Sequence, residues 1–378
     1  MDHLFRTISR MLLITVTSLT SVTCPIGLAE SDANLPSSAE IKIDKHLSEL
    51  RDKAERGYVR EQIKLGAAYL AGRGIPQDLA EAARWYEKAA RSGDPEAENE
   101  IGYFYQRGIG VRVDMDRAAH WYQLSSAAGL PLGKVNLAVC YLNGLGVHKN
   151  PSTARQLLIE AVGKREGLAA AFLGDMSLFG LGVTVDRSAA ERWFTLGARL
   201  HDWLAAYDLA SLLTGYEGHS KDLHRAAELL RFSSANGYLP AKHSLGLLLV
   251  NHPELAQSDG EARGLLEEAS AAGSWKSTVI LGVLARQGTR PEPARALYYF
   301  RIAELQGDIT AKQLVAGEIK ALGSKLSPAD QSLIAASAGS WIETHRVPKV
   351  FVFNDQRAQQ DFPLISVVAS PEGQSGGE

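Results

Sequence analysis

The side chains best able to do chemistry are clustered histidines, paired carboxylates, two cysteines and a recurring glycine pair. His201, His219, His224, His243 and His252 crowd one stretch of the chain. A metal centre needs three or four ligands converging at a defined spacing. No HExxH and no paired-histidine helix motif occurs, so these residues read as loop and helix-face histidines. Glu98 with Glu100, and Glu267 with Glu268, offer paired carboxylates of the kind glycoside hydrolysis uses. They sit in charged helical stretches, with nothing to drive their protonation states apart. Gly72-Arg73-Gly74 and its recurrences suggest a phosphate cradle, but the strand before it and the lysine-serine pair after it are missing. The sequence therefore nominates no catalytic residue, metal or cofactor.

The elements carrying these residues follow from a period of 36 residues. Leu65 returns as Ile101, Leu137, Leu173, Leu209, Leu245 and Leu281. Gly66 returns as Gly102, Ala138, Gly174, Ala210, Gly246 and Gly282, never larger than alanine. Ala82 returns as Ala118, Ala154, Ala190, Ala226 and Ala262, and after a two-residue shortening near Pro291 as Ala296. A period of this length marks a solenoid, whose units bury their apolar faces only against one another. Each unit holds two amphipathic helical patterns. The small residue marks where a second helix crosses closely, and the glycine pair permits a sharp reversal. Asp78, Asp114, Asn150, Asp186, Asp222 and Ser258 are spaced as N-caps of the second helix, Ser258 pairing with Glu261 in a capping box. Trp85, Trp121 and Trp193 read as its core staple. Gly57, Gly93, Gly129, Gly237 and Gly273 suit left-handed helix ends, and Arg165 and His201 at that position predict less regular ends. Cys140 recurs as Ala68, Phe104, Met176 and Leu212, which makes it a small core residue rather than a nucleophile.

Ile101-Gly102, Tyr105, Gly108-Ile109-Gly110-Val111, Asp114, Ala118, Trp121-Tyr122 and Ala127-Ala128-Gly129 together resemble the Sel-one-like repeat, a relative of the tetratricopeptide repeat. The resemblance spans roughly residues 43–323. Unit three replaces Trp-Tyr with Leu157-Leu158, and His252-Pro253-Glu254 replaces the bend in unit six. It implies an all-α fold: a right-handed α/α superhelical solenoid of about seven tandem helix-pair repeats with terminal capping helices, acting as an interaction scaffold. A secreted branch of that family carries a cysteine pair in each unit and is linked with β-lactam hydrolysis. This chain lacks those pairs, which weakens an enzymatic reading.

The 378 residues are 45% hydrophobic and 22% charged, with a net charge of −3. That balance gives no basic signature for nucleic acid. Residues 1–29 read as a secretory signal: Arg6 and Arg10 precede the apolar run Met11–Val22, and Gly27-Leu28-Ala29 offers a cleavage site. The run is shorter than the ~20 apolar residues of a span. An alternative is lipid anchoring at Cys24. Residues 30–40 form a polar linker, 41–57 a capping helix, 58–323 the repeats and 324–345 a closing helix with Ile334, Ala338 and Trp341 in its stripe. In the 346–378 tail, Val350–Phe353 and Pro363–Val368 read as apolar straps, or as strands for a partner's sheet edge.

Borrowing the tetratricopeptide register, the first helices line the concave wall. Their exposed positions are Asn99, Tyr103, Gln106 and Arg107, then Val139 and Asn143, then Asp175, Leu178 and Phe179, then Tyr207 and Ser211, and finally His243, Leu247 and Asn251. Tyr, Phe, Arg and Asn suit protein recognition. The expectation is a periplasmic or secreted, non-enzymatic adaptor or regulator that binds another protein there. The rivals are a β-lactam-hydrolysing enzyme and an outer-membrane lipoprotein scaffold for polysaccharide export.

Overall fold

The computed structural model describes residues 38–214, 222–287 and 291–345, and these are helical with no strand. The leader with Cys24, His219 and the tail segments Val350–Phe353 and Pro363–Val368 lie outside the described residues. The chain divides into two compact units, Met1–Leu200 and His201–Glu378.

The first unit starts with a lone helix, α1 (Ser38–Glu55). Helix pairs follow: α2 (Val59–Ala71) with α3 (Leu79–Ala90), α4 (Pro95–Arg107) with α5 (Met115–Ala127), α6 (Pro131–Asn143) with α7 (Pro151–Gly163), and α8 (Gly167–Phe179) with α9 (Arg187–Arg199). Helices pack within each pair and onto the next pair. α1 covers the first pair by setting Leu47, Leu50 and Ala54 against Leu65, Tyr69 and Trp85.

Local signals set the boundaries. Gly108 takes φ 71° and returns its N–H to the Phe104 carbonyl, ending α4. The Asp114 carboxylate then accepts the Arg117 N–H and starts α5; Asp78, Asn150 and Asp186 cap α3, α7 and α9 in the same way. The second glycine of the later bends has a further role. A Cβ on Gly110 would run into the Leu79 carbonyl, and one on Gly146 into the Met115 carbonyl. The bend of one pair is thus pressed onto the start of the second helix in the pair before it.

The small position on the first helix meets the second helix of its own pair. A Cβ on Gly66 would stand 2.9 Å from the Tyr86 ring, and one on Gly102 2.8 Å from Tyr122. Here the expected staple is displaced by one residue. Trp85 is buried, but Trp121 and Trp193 are half-buried, while Tyr86, Tyr122, Leu158 and Phe194 fill the core. Burying each such side chain contributes about 2–3 kcal/mol. Arg165 and His201 also depart from expectation, adopting φ 65° and 62°. At Arg165 the packing of α7 against α8 holds the left-handed turn even without glycine.

The second unit comprises α10 (Trp203–Leu213) with α11 (Leu223–Ala235), α12 (Leu239–Asn251) with α13 (Glu261–Ala271), α14 (Trp275–Gln287) with α15 (Pro293–Gln306), then α16 (Ile309–Gly323) and α17 (Pro328–Thr344). The short 3-10 turn Pro253–Leu255 stands where the glycine bend is lost. The capping box expected from Ser258 does not form. Gly260, at φ 86°, precedes α13, and the Glu261 carboxylate instead accepts the Gln257 N–H and pairs with Arg231 at 2.8 Å. Ser327 does cap α17, accepting the Asp330 N–H. α17 lies along α15, with Ala338 buried and Ile334 and Trp341 half-buried.

Candidate functional site: the first-helix wall

The nominated positions fall into two classes once the helices are packed. Those two residues before the aliphatic anchor are interior. Asn99 is buried and accepts a hydrogen bond from Asn136 Nδ2 at 2.7 Å, joining α4 to α6. Tyr207 is buried and meets Tyr238 edge-on, 4.9 Å between centroids. His243 is buried, with Nδ1 2.9 Å from Ser277 Oγ, which is itself hydrogen-bonded to Ser274 Oγ at 3.0 Å. Asp175, two residues after its anchor, is buried as well. These four, together with Val139 and Leu247, were expected to be exposed and are buried. Asn99 and His243 are closed over by the next first helix, α6 and α14 respectively.

The second class lies toward the C-terminal ends of the first helices. Tyr103 is half-buried against the core, and Gln106 accepts a 2.6 Å hydrogen bond from the Tyr122 hydroxyl. Arg107, Asn143 and Phe179 are half-buried and Asn251 is exposed. Each of these four is the last residue of its helix. Arg107 makes no ion pair among the described residues, while Asn143 Nδ2 donates to its own helix at the Val139 carbonyl. A separate open groove of about 570 Å³ lies at the opposite helix ends in the first unit, lined by Arg60, Lys64, Asp94 and Leu130 among others. None of the nominated residues lines it.

Sequence reasoning missed the electrostatics of this wall. Burial, reinforced by Glu96 and opposed by a hydrogen bond from Asn99, raises the Glu100 carboxyl to about 7. Burial and the nearby Lys276 lower His243 to about 3, so its imidazole is neutral. Burial pushes the Cys140 thiol up to about 12, consistent with a core cysteine. Lys276 is buried over the Trp275 ring; its apolar repeat neighbours Leu204 and Pro240 gave no hint of it.

The described residues contain no group of three metal ligands. Of the hydroxyl–imidazole pairs among the described residues, His243 with Ser277 is buried, Ser277 at 0% exposure, while Thr344 Oγ1 lies 3.0 Å from Nδ1 of the exposed His345. No helix among the described residues is long and apolar enough to cross a membrane.

Helix pairs repeating at this period, with a glycine bend pressed on the preceding pair, define an all-α superhelical repeat protein. The Sel1 repeat model matches residues 62–94, 95–130, 131–162, 167–202, 203–238 and 279–308, so the chain belongs to the Sel1 repeat family. Proteins of that family generally serve as protein-interaction scaffolds. Among solved structures, a Sel1 repeat protein from Oxalobacter formigenes is 25% identical, covering 65% of this chain and 100% of its own, with TM-score 0.54. The c5321 protein, a protective antigen of uropathogenic Escherichia coli with the same repeat fold, is 22% identical over 90% of this chain and 80% of its own, with TM-score 0.43. No curated protein matches the chain. The unmatched stretch 239–278 keeps its helix pair, α12 with α13, despite the altered bend.

Proposed function

We propose that this chain is an exported, non-enzymatic adaptor or regulator of the bacterial cell envelope that binds another protein through the first-helix wall. One observation carries the reading. In the first compact unit the closing position of the first helix holds Arg107, Asn143 and Phe179, and in the second, taken by itself, it holds Asn251, each in a repeat whose neighbouring positions stay fixed by packing. Residues that vary in chemistry while the scaffold beneath them does not can specify a partner. Tyr103 and Gln106 flank the first of them. The leader composition, with Arg6, Arg10 and the run Met11–Val22, supports export.

The test is affinity capture from an envelope fraction with the purified chain as bait. Tyr103→Ala combined with Arg107→Ala weakens retention of a specifically captured protein about tenfold, or ~1.4 kcal/mol. Helical content by circular dichroism stays unchanged, since both side chains are half-buried rather than core. Retention equal to that of the unaltered chain removes this surface from the account.

A further inference from the structure

One stripe of α4 stays open after packing: Glu96, Glu100, Tyr103 and Arg107, at spacings of four, three and four residues. Its charge changes sign along the helix, from two carboxylates past a phenol ring to a guanidinium. Glu100 is its unusual member. The residue is half-buried, yet among the described residues no cation answers it. Lys64 holds the same repeat position on α2, but it is 65% exposed and reaches Glu61 at 3.7 Å. On α4 itself Glu96 adds its own negative charge, and the Asn99 side chain supplies a hydrogen bond. From α3 and α5 the Tyr86 and Tyr122 phenols lie within the field of the carboxylate; burial raises both, and Glu100 adds to each. α6 brings the neutral Asn136 to the equivalent position, and Cys140 beside Tyr122. A carboxylate drawn partly out of water costs free energy unless a cation or a proton meets it.

We infer that Glu100 seats a lysine or arginine side chain of the partner protein, with Tyr103 against the cation and Arg107 taking an acidic residue further along the same segment. The inference rests on the first-helix wall being the binding face. Charge complementarity selects the occupant. Glu96 and Glu100 attract a cation to one end of the stripe, the face of a phenol ring favours a cation beside it, and Arg107 makes no ion pair of its own among the described residues. The groove on the N-terminal side, with Glu96 and Leu130 in its lining, ends one helical turn from Glu100 and lets the segment continue. Seven residues of helix set Glu100 and Arg107 about 10 Å apart, which an extended chain spans in three residues. A basic residue followed at the third place by an acidic one therefore fits. Since Glu100 is raised to about 7, it gives up a proton when the cation arrives, and affinity climbs with pH up to that value.

The probe is the acetylated, amidated hexapeptide Ala-Lys-Ala-Ala-Asp-Ala, with norleucine in place of lysine as its control. The full chain is labelled with carboxyl-¹³C glutamate, and the Glu100 signal is identified by its loss in Glu100→Gln. Alone, that signal titrates near pH 7. At about 20 mM lysine peptide the midpoint falls by about one unit or more, a tenfold preference for the ionised carboxyl, and the norleucine peptide leaves it in place. A midpoint that neither peptide moves, or that both move equally, overturns the inference. A free-chain midpoint near the ordinary carboxylate value does the same. The wall reading fails separately: a protein whose capture depends on Tyr103 and Arg107, yet is retained equally by Glu100→Gln at pH 8, keeps the wall and removes the cation seat.

Discussion

Gly146→Ala destabilises the first unit by about 3 kcal/mol, the combined cost of a left-handed side-chain-bearing residue and of an overpacked contact. Gly146 sits at φ 65°, and the added Cβ would meet the Met115 carbonyl, a backbone atom that cannot swing aside. The damage falls between pairs: the bend between α6 and α7 lifts away from the start of α5. Stability in stacked repeats is a sum of unit and interface contributions, so a lost interface uncouples the pairs on either side. Gly129→Ala is the matched control. Its φ is 90°, but nothing lies within 4 Å of the position a Cβ would take. That substitution costs only the backbone share, about 1 kcal/mol. Urea unfolding followed by aromatic fluorescence compares the two; equal costs would mean the second glycine serves the turn alone.

Glu100→Gln makes the first unit more stable at pH 8, by on the order of 2 kcal/mol, and leaves it unchanged near pH 4. Burial raises the Glu100 carboxyl from its ordinary 4.5 to about 7, with Asn99 opposing the shift and Glu96 adding to it. A group whose folded value lies above its unfolded value favours folding while protonated. Its contribution is complete below pH 4.5 and is lost as the pH climbs through about 7. Glutamine keeps the shape and removes the titration. Denaturant midpoints at both pH values measure the difference, and a variant with the same pH profile as the unaltered chain would place that carboxylate in water.

Much of this architecture was legible in the sequence because its determinants are local. Asp114 caps α5 and Gly108 ends α4 through contacts a few residues away, so spacing alone located both. What was not legible depended on how helices cross. Whether Trp121 or Tyr122 faces the core turns on a rotation of one residue about the helix, and the first-to-second-helix crossing selects Tyr122. Likewise Asn99 and His243 lie at positions whose exposure is set by the gap between successive first helices, a quantity absent from the repeat pattern. Ser258 matched a capping motif, yet Gly260 allowed α13 to begin two residues later with Glu261 drawn to Arg231. The left-handed turn at Arg165 was missed because residue preference was weighed without the packing of α7 on α8 that overrides it.

Photo-crosslinking tests the central claim of a recognition wall most directly. A benzophenone amino acid replaces Arg107 or Phe179 on the first helices, and Arg84 or Arg192 on the exposed faces of α3 and α9. Irradiated in cells, the first two positions yield a discrete adduct with one other protein and the last two yield none. Adducts of equal yield from all four positions, or from Arg84 and Arg192 alone, would contradict the account.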